Sequence, residues 1–300
     1  MILCCGEALI DMLPRETGAG EAAFAPYAGG AVFNTAIALG RLGAETGFFS
    51  GLSTDLFGTI LTDSLAASKV QADLAVRSDR PTTLAFVTLT NGQAKYAFYD
   101  ENTAGRMMTP DDLPELPNEV NTLFFGGISL VAEPCGEAYQ ALMLREAGRR
   151  VTMIDPNIRP GFITDEARYR ARIRSMLIAA DIIKVSDEDL DWLAMDVQEL
   201  LDHDTKLVCL TEGSKGVRAY WQGGETFVAA NKVEVVDTVG AGDTFNAGLL
   251  AGLNRAGILT KDGLAALDET AVIPALELGV KAAAITVSRA GANPPWEHEL

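Results

Sequence analysis

The sequence predicts a three-layer α/β/α sandwich on a mostly parallel central sheet, with a small β-strand lid inserted into it. Three observations point there. Short runs of β-branched, aromatic or apolar residues alternate with helical patterns, which builds parallel βαβ units of right-handed connection. Two stretches break that alternation with extended segments of their own. Two glycine segments, far apart in the chain, each sit directly ahead of a helical pattern.

In chain order, Ile2 to Cys5 reads as the first strand. Residues 9 to 28 look extended, with a glycine-rich turn at 18 to 20. Gly29-Gly30 then opens a helix that reaches Gly43 and carries Asn34 in its first turns. Thr83 to Thr90 and Gln93 to Tyr99 form a hairpin joined by Asn91-Gly92, the preferred pair of a type I′ turn. The strands of about 9–28 and 83–99 pair into a small flap. On pattern alone it is either a lid that excludes water from a substrate or an ordinary edge hairpin. Further strands follow at Thr122 to Phe125, Val151 to Ile154, Ile182 to Val185 and Leu207 to Leu210, with helices at about 134 to 149, 168 to 180 and 189 to 201 between them. Val233 to Val236 alternates like a strand, and 244 to 254 has helical spacing. Residues 1–300 are expected to form one domain, with ligands bound beyond the carboxyl ends of the parallel strands.

Forty-one acidic against twenty-four basic residues give a net charge of −17, which opposes nonspecific binding to nucleic acid. Cysteines at 4, 5, 135 and 209 show no CxxC spacing, and with only His203 and His298 a zinc site is not expected. The thiols read as buried and reduced, as in a cytoplasm. The start of the chain shows no basic leader and no apolar run looks long enough to span a bilayer, so the expectation is a cytoplasmic protein without a membrane or nucleic-acid partner.

Asp237-Thr238-Val239-Gly240-Ala241-Gly242-Asp243-Thr244-Phe245 carries the most chemistry. Gly240 and Gly242 let backbone N–H groups converge at a helix start, where positive potential suits an anion. Asp243 fits two readings there: a helix cap, or a general base that takes the proton of a hydroxyl attacking a phosphorus held by those amides. In the first glycine segment, bare backbone at Gly29 and Gly30 admits a close ligand, Asn34 can donate and accept to a sugar, and Asp11, read at the end of the first strand, can accept from hydroxyls. Taken singly, Asn34 also fits a helix terminus and Asp11 a turn.

Gly29 to Gly43 and Asp237 to Gly248 resemble the two signatures of the ribokinase (PfkB) family of carbohydrate kinases, in that family's order. Gly6-Glu7-Ala8-Leu9-Ile10-Asp11, Gly126-Gly127-Ile128-Ser129-Leu130, Asp155-Pro156-Asn157-Ile158-Arg159-Pro160 and Lys184-Val185-Ser186-Asp187-Glu188-Asp189-Leu190 are most similar to bacterial fructokinases. The resemblance covers essentially the whole chain. It implies Asp243 as base and Gly240, Ala241 and Gly242 as anion hole. Sugar contacts are expected from Asp11, Gly29, Gly30, Asn34, Phe98, Arg106, Asn157 and Arg159, where a guanidinium can brace phosphate oxygens. The nucleotide side is expected at Lys184, Ser186 and Asp189 and in the turn of Thr211, Gly213, Lys215 and Gly216. In relatives that hold potassium, the ion sits among carbonyls matching Asp237, Val239, Thr286, Arg289 and Gly291.

Two departures stand out. The family's Asn-x-x-Glu motif is Ser186-x-x-Asp189 here, which shortens both side chains, so magnesium is expected to be reached through water. Residues 98 to 106 differ from the arginine-bearing stretch common in fructokinases, which leaves the sugar open. The expected activity is transfer of the γ-phosphoryl group of ATP, with Mg2+ and in some relatives K+, to a primary hydroxyl of a monosaccharide. Fructose yielding fructose 6-phosphate comes first. A 2-keto-3-deoxygluconate kinase, another sugar or nucleoside kinase of this type, and a silent sugar sensor are the alternatives. No GxGxxG follows a strand, and neither GxxxxGK[ST] nor an HRD triplet occurs, which disfavours dehydrogenases, P-loop enzymes and protein kinases. Open edges of the lid allow a homodimer through its strands.

Overall fold

The computed structural model describes residues 1–90 and 93–300, and side chains outside 88–96. The Asn91-Gly92 turn lies outside the described residues. In chain order the first strands are β1 (Ile2–Cys5), β2 (Leu9–Glu16), β3 (Ala22–Gly29), β4 (Thr46–Phe49), β5 (Gly51–Ser53), β6 (Val70–Gln71), β7 (Val76–Ser78), β8 (Leu84–Thr90) and β9 (Gln93–Tyr99). They continue as β10 (Thr122–Gly126), β11 (Val151–Asp155), β12 (Ile182–Ser186), β13 (Leu207–Thr211), β14 (Gly216–Trp221) and β15 (Gly224–Ala229). The helices are α1 (Ala31–Arg41), α2 (Leu56–Ala67), α3 (Cys135–Glu146), α4 (Glu166–Ile178), α5 (Asp187–Leu193), α6 (Val197–Leu201), α7 (Ala241–Arg255), α8 (Lys261–Ala265) and α9 (Glu269–Val287).

Among the described residues, nine strands form one sheet in the order β15-β14-β13-β12-β11-β10-β1-β4-β6. Pairing is parallel from β13 to β6 and antiparallel only for β14 and β15 at one edge. Central strands such as β1 and β4 are buried along their whole length, which explains why they read as unbroken apolar runs. Alternate residues of β1 enter opposite cores. Ile2 and Cys4 join Phe33, Leu249 and Val272 under α1, α7 and α9, while Leu3 and Cys5 join Tyr139 and Ile173 under α3 and α4. That is the expected three-layer sandwich. All four cysteines are buried free thiols.

A second sheet of four strands, β3-β2-β8-β9, stands apart from the main one. It joins the two stretches that break the sequence alternation, through parallel pairing of Ile10 to Met12 with Leu84 to Phe86.

Several expectations are corrected. Residues 233–236 are not a strand; Val233, Val235 and Val236 are all exposed, so no buried face rewards the alternation of this run. The stretch 189–201 is two helices, because Ala194 turns left-handed at φ 54° and Asp196 caps a new start by accepting from the Glu199 amide. Helix α9 is long and apolar enough by composition to cross a membrane, with 19 residues and mean hydropathy 1.5, against the reading that no run reaches that length. Half of it is buried in the fold. Small residues let it cross α7 closely: a Cβ on Gly248 would fall 2.5 Å from Gly279 Cα, and one on Gly252 would fall 2.5 Å from Ala275 Cα.

Candidate active site

The start of α7 decides between the two readings of Asp243. Gly240 is the N-cap residue, at φ 77°, and no side chain caps the helix. A Cβ there would also lie 2.8 Å from Ala292 Cβ, so both conformation and space call for glycine. Asp243 is therefore the third residue of the helix rather than its cap. Its carboxylate accepts from Asn34 Nδ2 at 2.9 Å, and Thr35 Oγ1 donates to the Asp243 carbonyl at 3.2 Å, which fixes α1 against α7. Burial pushes the Asp243 carboxyl up to about 7. The Asn34 bond and the Lys184 charge pull it down, while Asp155 and Glu7 push the same way as burial.

Beneath this helix start lies a buried polar group contributed by β11, β12 and α7 itself. Lys184 Nζ donates to Asp155 Oδ2 at 3.1 Å, and Asn246 Nδ2 donates to the same oxygen at 2.7 Å. Lys184 Nζ also comes within 3.5 Å of where a Cβ on Gly242 would sit, so the ammonium borders the glycine cradle. Burial works against that charge, yet Asp155, Asp189 and Asp243 together hold the Lys184 pKa above its ordinary value. Ser186 and Asp189 form a capping box at α5, with Asp189 Oδ2 accepting from the Ser186 amide and hydroxyl. Asp189 Oδ1 accepts from the Ile158 amide at 2.8 Å, which ties this helix to the loop after β11.

A cavity of about 380 Å³ opens beside α1, between the main sheet and the second sheet. Of the residues singled out from the sequence, Asp11, Gly30, Phe98, Asn157 and Arg159 line it. Asp11 lies within β2 rather than at the end of the first strand, and burial raises its carboxyl to about 6. A Cβ on Gly29 would fall 2.2 Å from Asp11 Oδ2, so that glycine gives the carboxylate its room. Phe98 of β9 meets Phe162 edge-on with centroids 4.6 Å apart, which brings the second sheet across to the loop after β11. Gly29 and Asn34 are not among the lining residues; Asn34 lies one helical turn beyond Gly30, whose carbonyl accepts from the Asn34 backbone amide at 2.8 Å, and the Asn34 side chain turns to Asp243. Arg106 is not among the lining residues; its guanidinium is held by Asp100 at 2.9 Å and by the Glu133 carbonyl.

Glu7 also lines the cavity, a residue that the sequence offered only as part of a longer likeness. Its Oε1 accepts from the Ala31 and Val32 amides at 2.8 and 3.3 Å, and its Oε2 from the Ser129 amide at 3.2 Å. Gly127, at φ 69°, leaves the carboxylate space that a Cβ would take. Alternation of a short buried strand could not disclose this partner, because it is three-dimensional.

Two further groups gather at loops. Thr211 ends β13, with its hydroxyl donating to the Val185 carbonyl at 3.3 Å. Gly213, at φ 55°, and Gly216, at φ 137°, bracket an exposed Lys215. Asp237 accepts from the amides of Val239 and Gly291, each at 3.0 Å, and so joins the loop before α7 to the loop after α9. Thr286 Oγ1 donates to Thr244 Oγ1 at 3.0 Å, while the Arg289 side chain is committed to Glu299.

The pfkB family carbohydrate kinase model matches residues 1–299. The chain is 55% identical to a protein named fructokinase from Rhizobium leguminosarum bv. trifolii, over 91% of this chain and 85% of that one. It is 34% identical to a maize fructokinase-1, over all of this chain and 96% of the relative. Among solved structures, a fructokinase with bound ATP from Xylella fastidiosa superposes with a TM-score of 0.87 at 30% identity, covering 97% of this chain and 93% of its own. With two glycine-started helices meeting at a buried carboxylate and a family match that runs almost end to end, the chain belongs to the pfkB family of carbohydrate kinases.

Proposed function

We propose that this protein is an ATP-dependent fructokinase that phosphorylates a primary hydroxyl of D-fructose to give fructose 6-phosphate and ADP. The observation that carries the reading is Asp243: a carboxyl raised to about 7, buried beside a glycine cradle and linked by Asn34 to the helix that borders the cavity. Its place suits a base that takes the hydroxyl proton as the sugar oxygen bonds to the γ-phosphorus and the bond to the β-γ bridging oxygen breaks. Gly240, Ala241 and Gly242 then offer amides to the charge that spreads over the phosphoryl oxygens. The likeness to relatives named fructokinase supports fructose as the acceptor.

Asp11, Gly30, Asn34, Asn157 and Arg159 are proposed to hold the sugar, and Thr211 to Gly216 with Lys184 the nucleotide phosphates. The second sheet, inserted into a single kinase domain, acts as a lid, with Phe98 against Phe162 as one of its contacts with the main body. Phe24, Tyr27 and Tyr99 are large exposed residues of that sheet, which favours a homodimer through it. Magnesium fits as a nucleotide-borne ion: among the described residues no three His, Cys, Asp or Glu side chains form a cage, and Asp155 and Asp189 are engaged in hydrogen bonds. Bound there, it would neutralise charge on the phosphates. The loops that Asp237 joins fit a potassium ion held mainly by carbonyl oxygens, since the Asp237 carboxylate and the Arg289 side chain are already paired. Kinase rates in potassium, sodium and a bulky organic cation test that ion, and indifference to the cation would remove it.

The deciding assay is ADP release with ATP and magnesium across fructose, ribose, 2-keto-3-deoxygluconate, tagatose and adenosine. Fructose is expected to show the highest kcat/KM. Inactivity on all of them, or a clear lead for another acceptor, would overturn the assignment.

A further inference from the structure

Asn246, Asp155 and Lys184 each lie in a segment that carries the likeness to the family, and the fold brings them into one buried cluster. Lys184 is an ammonium at 6% exposure with, among the described residues, a single hydrogen-bonded partner, Asp155 Oδ2 at 3.1 Å. An ammonium carries three donors, so two remain beside Gly242, whose missing Cβ would lie 3.5 Å from Nζ. Asp155 is held from two other sides. Asn246 Nδ2 reaches its Oδ2 at 2.7 Å, and its Oδ1 accepts from the Asn157 amide at 3.2 Å. Asn246, on the second turn of α7, is 1% exposed and leaves its own Oδ1 without a partner. Leaving a buried amide oxygen unpaired costs on the order of 1–3 kcal/mol, a cost that favours a positional reason for the residue.

We infer that Lys184 is a catalytic cation for the transferring phosphoryl group, and that Asn246, by fixing Asp155 Oδ2, is the positioning residue that aims its ammonium at the cradle of Gly240, Ala241 and Gly242. The inference rests on the kinase reading of that cradle. Lys184 rises from the middle of β12 and Asn246 from α7, so the two are set by different elements and share Asp155 Oδ2 as a hydrogen-bond acceptor. The anion hole then comprises backbone amides on one side and a buried point charge on the other. The spare donors of Lys184 would engage oxygens whose charge grows as the γ-phosphoryl group moves, which makes them worth more in the transition state than in the ground state.

The test uses Lys184→Met and Asn246→Leu, beside wild type, with two readouts. In steady-state kinetics with fructose and ATP-magnesium, Lys184→Met is expected to lower kcat by about 100- to 1000-fold, and Asn246→Leu by about 10-fold, with fructose KM within threefold in both. In calorimetry with fructose present, affinity for ADP with aluminium fluoride, a mimic of the transferring group, falls about 100-fold in Lys184→Met, while affinity for ADP alone changes less than fivefold. Equal losses for ADP and for the mimic would overturn the inference in favour of plain nucleotide binding or a folding role. So would full turnover in Lys184→Met, or a rise in fructose KM without a fall in kcat in Asn246→Leu. Calorimetry reads the proposal even in a variant with no measurable turnover. Wild-type inactivity on every sugar marks failure of the kinase reading instead, since that result involves neither variant.

Discussion

Helices α1 and α7 both start from a glycine at positive φ, Gly30 at 111° and Gly240 at 77°, and neither has a side-chain cap at that residue. They differ in what meets the amides of the first turn. In α1 the carboxylate of Glu7 takes the Ala31 and Val32 amides, so the helix start is satisfied from inside the protein and faces the cavity as neutral, bare backbone. In α7 no such carboxylate from the described residues accepts from the Ala241 and Gly242 amides; Ala241 makes a long 3.4 Å bond to the Thr238 carbonyl, and the ammonium of Lys184 borders Gly242. On the proposed function, the first glycine start would take a neutral, hydroxyl-bearing ligand and the second, with its positive potential, an anion. Asn34 and Asp243 join them, so in the proposed reaction the hydroxyl and the phosphorus would meet at one carboxylate.

That contrast can be broken from either side. The largest expected effect is on chemistry at α7: Asp243→Asn should lower kcat by about 1000-fold with fructose affinity by calorimetry little changed, because Asn can still accept from Asn34. At α1 the expected damage is to stability and sugar binding. Glu7→Ala leaves the Ala31, Val32 and Ser129 amides without their acceptor, and should cost about 3 kcal/mol in denaturant unfolding while raising fructose KM more than it lowers kcat. If instead Glu7→Ala spares KM and abolishes kcat, the two helix starts have been assigned the wrong way round. Gly240→Ala comes next. Its φ of 77° and a 2.8 Å approach to Ala292 predict a loss of about 1–3 kcal/mol, with kcat falling further than KM.

A smaller effect sharpens the comparison through pH. The Asp243 carboxyl is raised from an ordinary 3.8 to about 7, so the folded state holds its proton more tightly than the unfolded chain. The stability this contributes is full below the unfolded value and is lost as pH rises through about 7. Asp243→Asn, which cannot ionise, should therefore unfold at a higher temperature than wild type at pH 8, with the gap closing as pH falls toward 4. A gap that widened toward acid would contradict the buried, costly carboxylate described for α7.

Much of this was legible in the chain because it rests on local rules. Unbroken apolar strands, the helical spacing between them and the two glycine pairs disclosed the layers and both ends of the site. What stayed hidden was set by distant partners. Val233 and Val235 alternate with Glu234 yet face solvent, because no layer covers them. The helical pattern of 189–201 concealed a break at Ala194, where a left-handed residue and an Asp196 cap outweigh apolar periodicity. Helix α2 and the strands around it went unread, although Asp55 accepting from the Gly58 amide is an ordinary N-cap. Glu7 and Asn246 could not be singled out at all, since their meaning lies in contacts 24 and 91 residues away along the chain.

The most direct test of the account is the pH dependence of kcat/KM for fructose in wild type and Asp243→Asn, measured at fixed free magnesium and ionic strength. The wild-type rate should climb about tenfold per pH unit below an inflection near 7 and then level, as Asp243 loses its proton and becomes able to accept one from the sugar. The variant's residual rate should lack that limb. The same limb in both proteins would show that another group titrates, and Asp243 would not be the base.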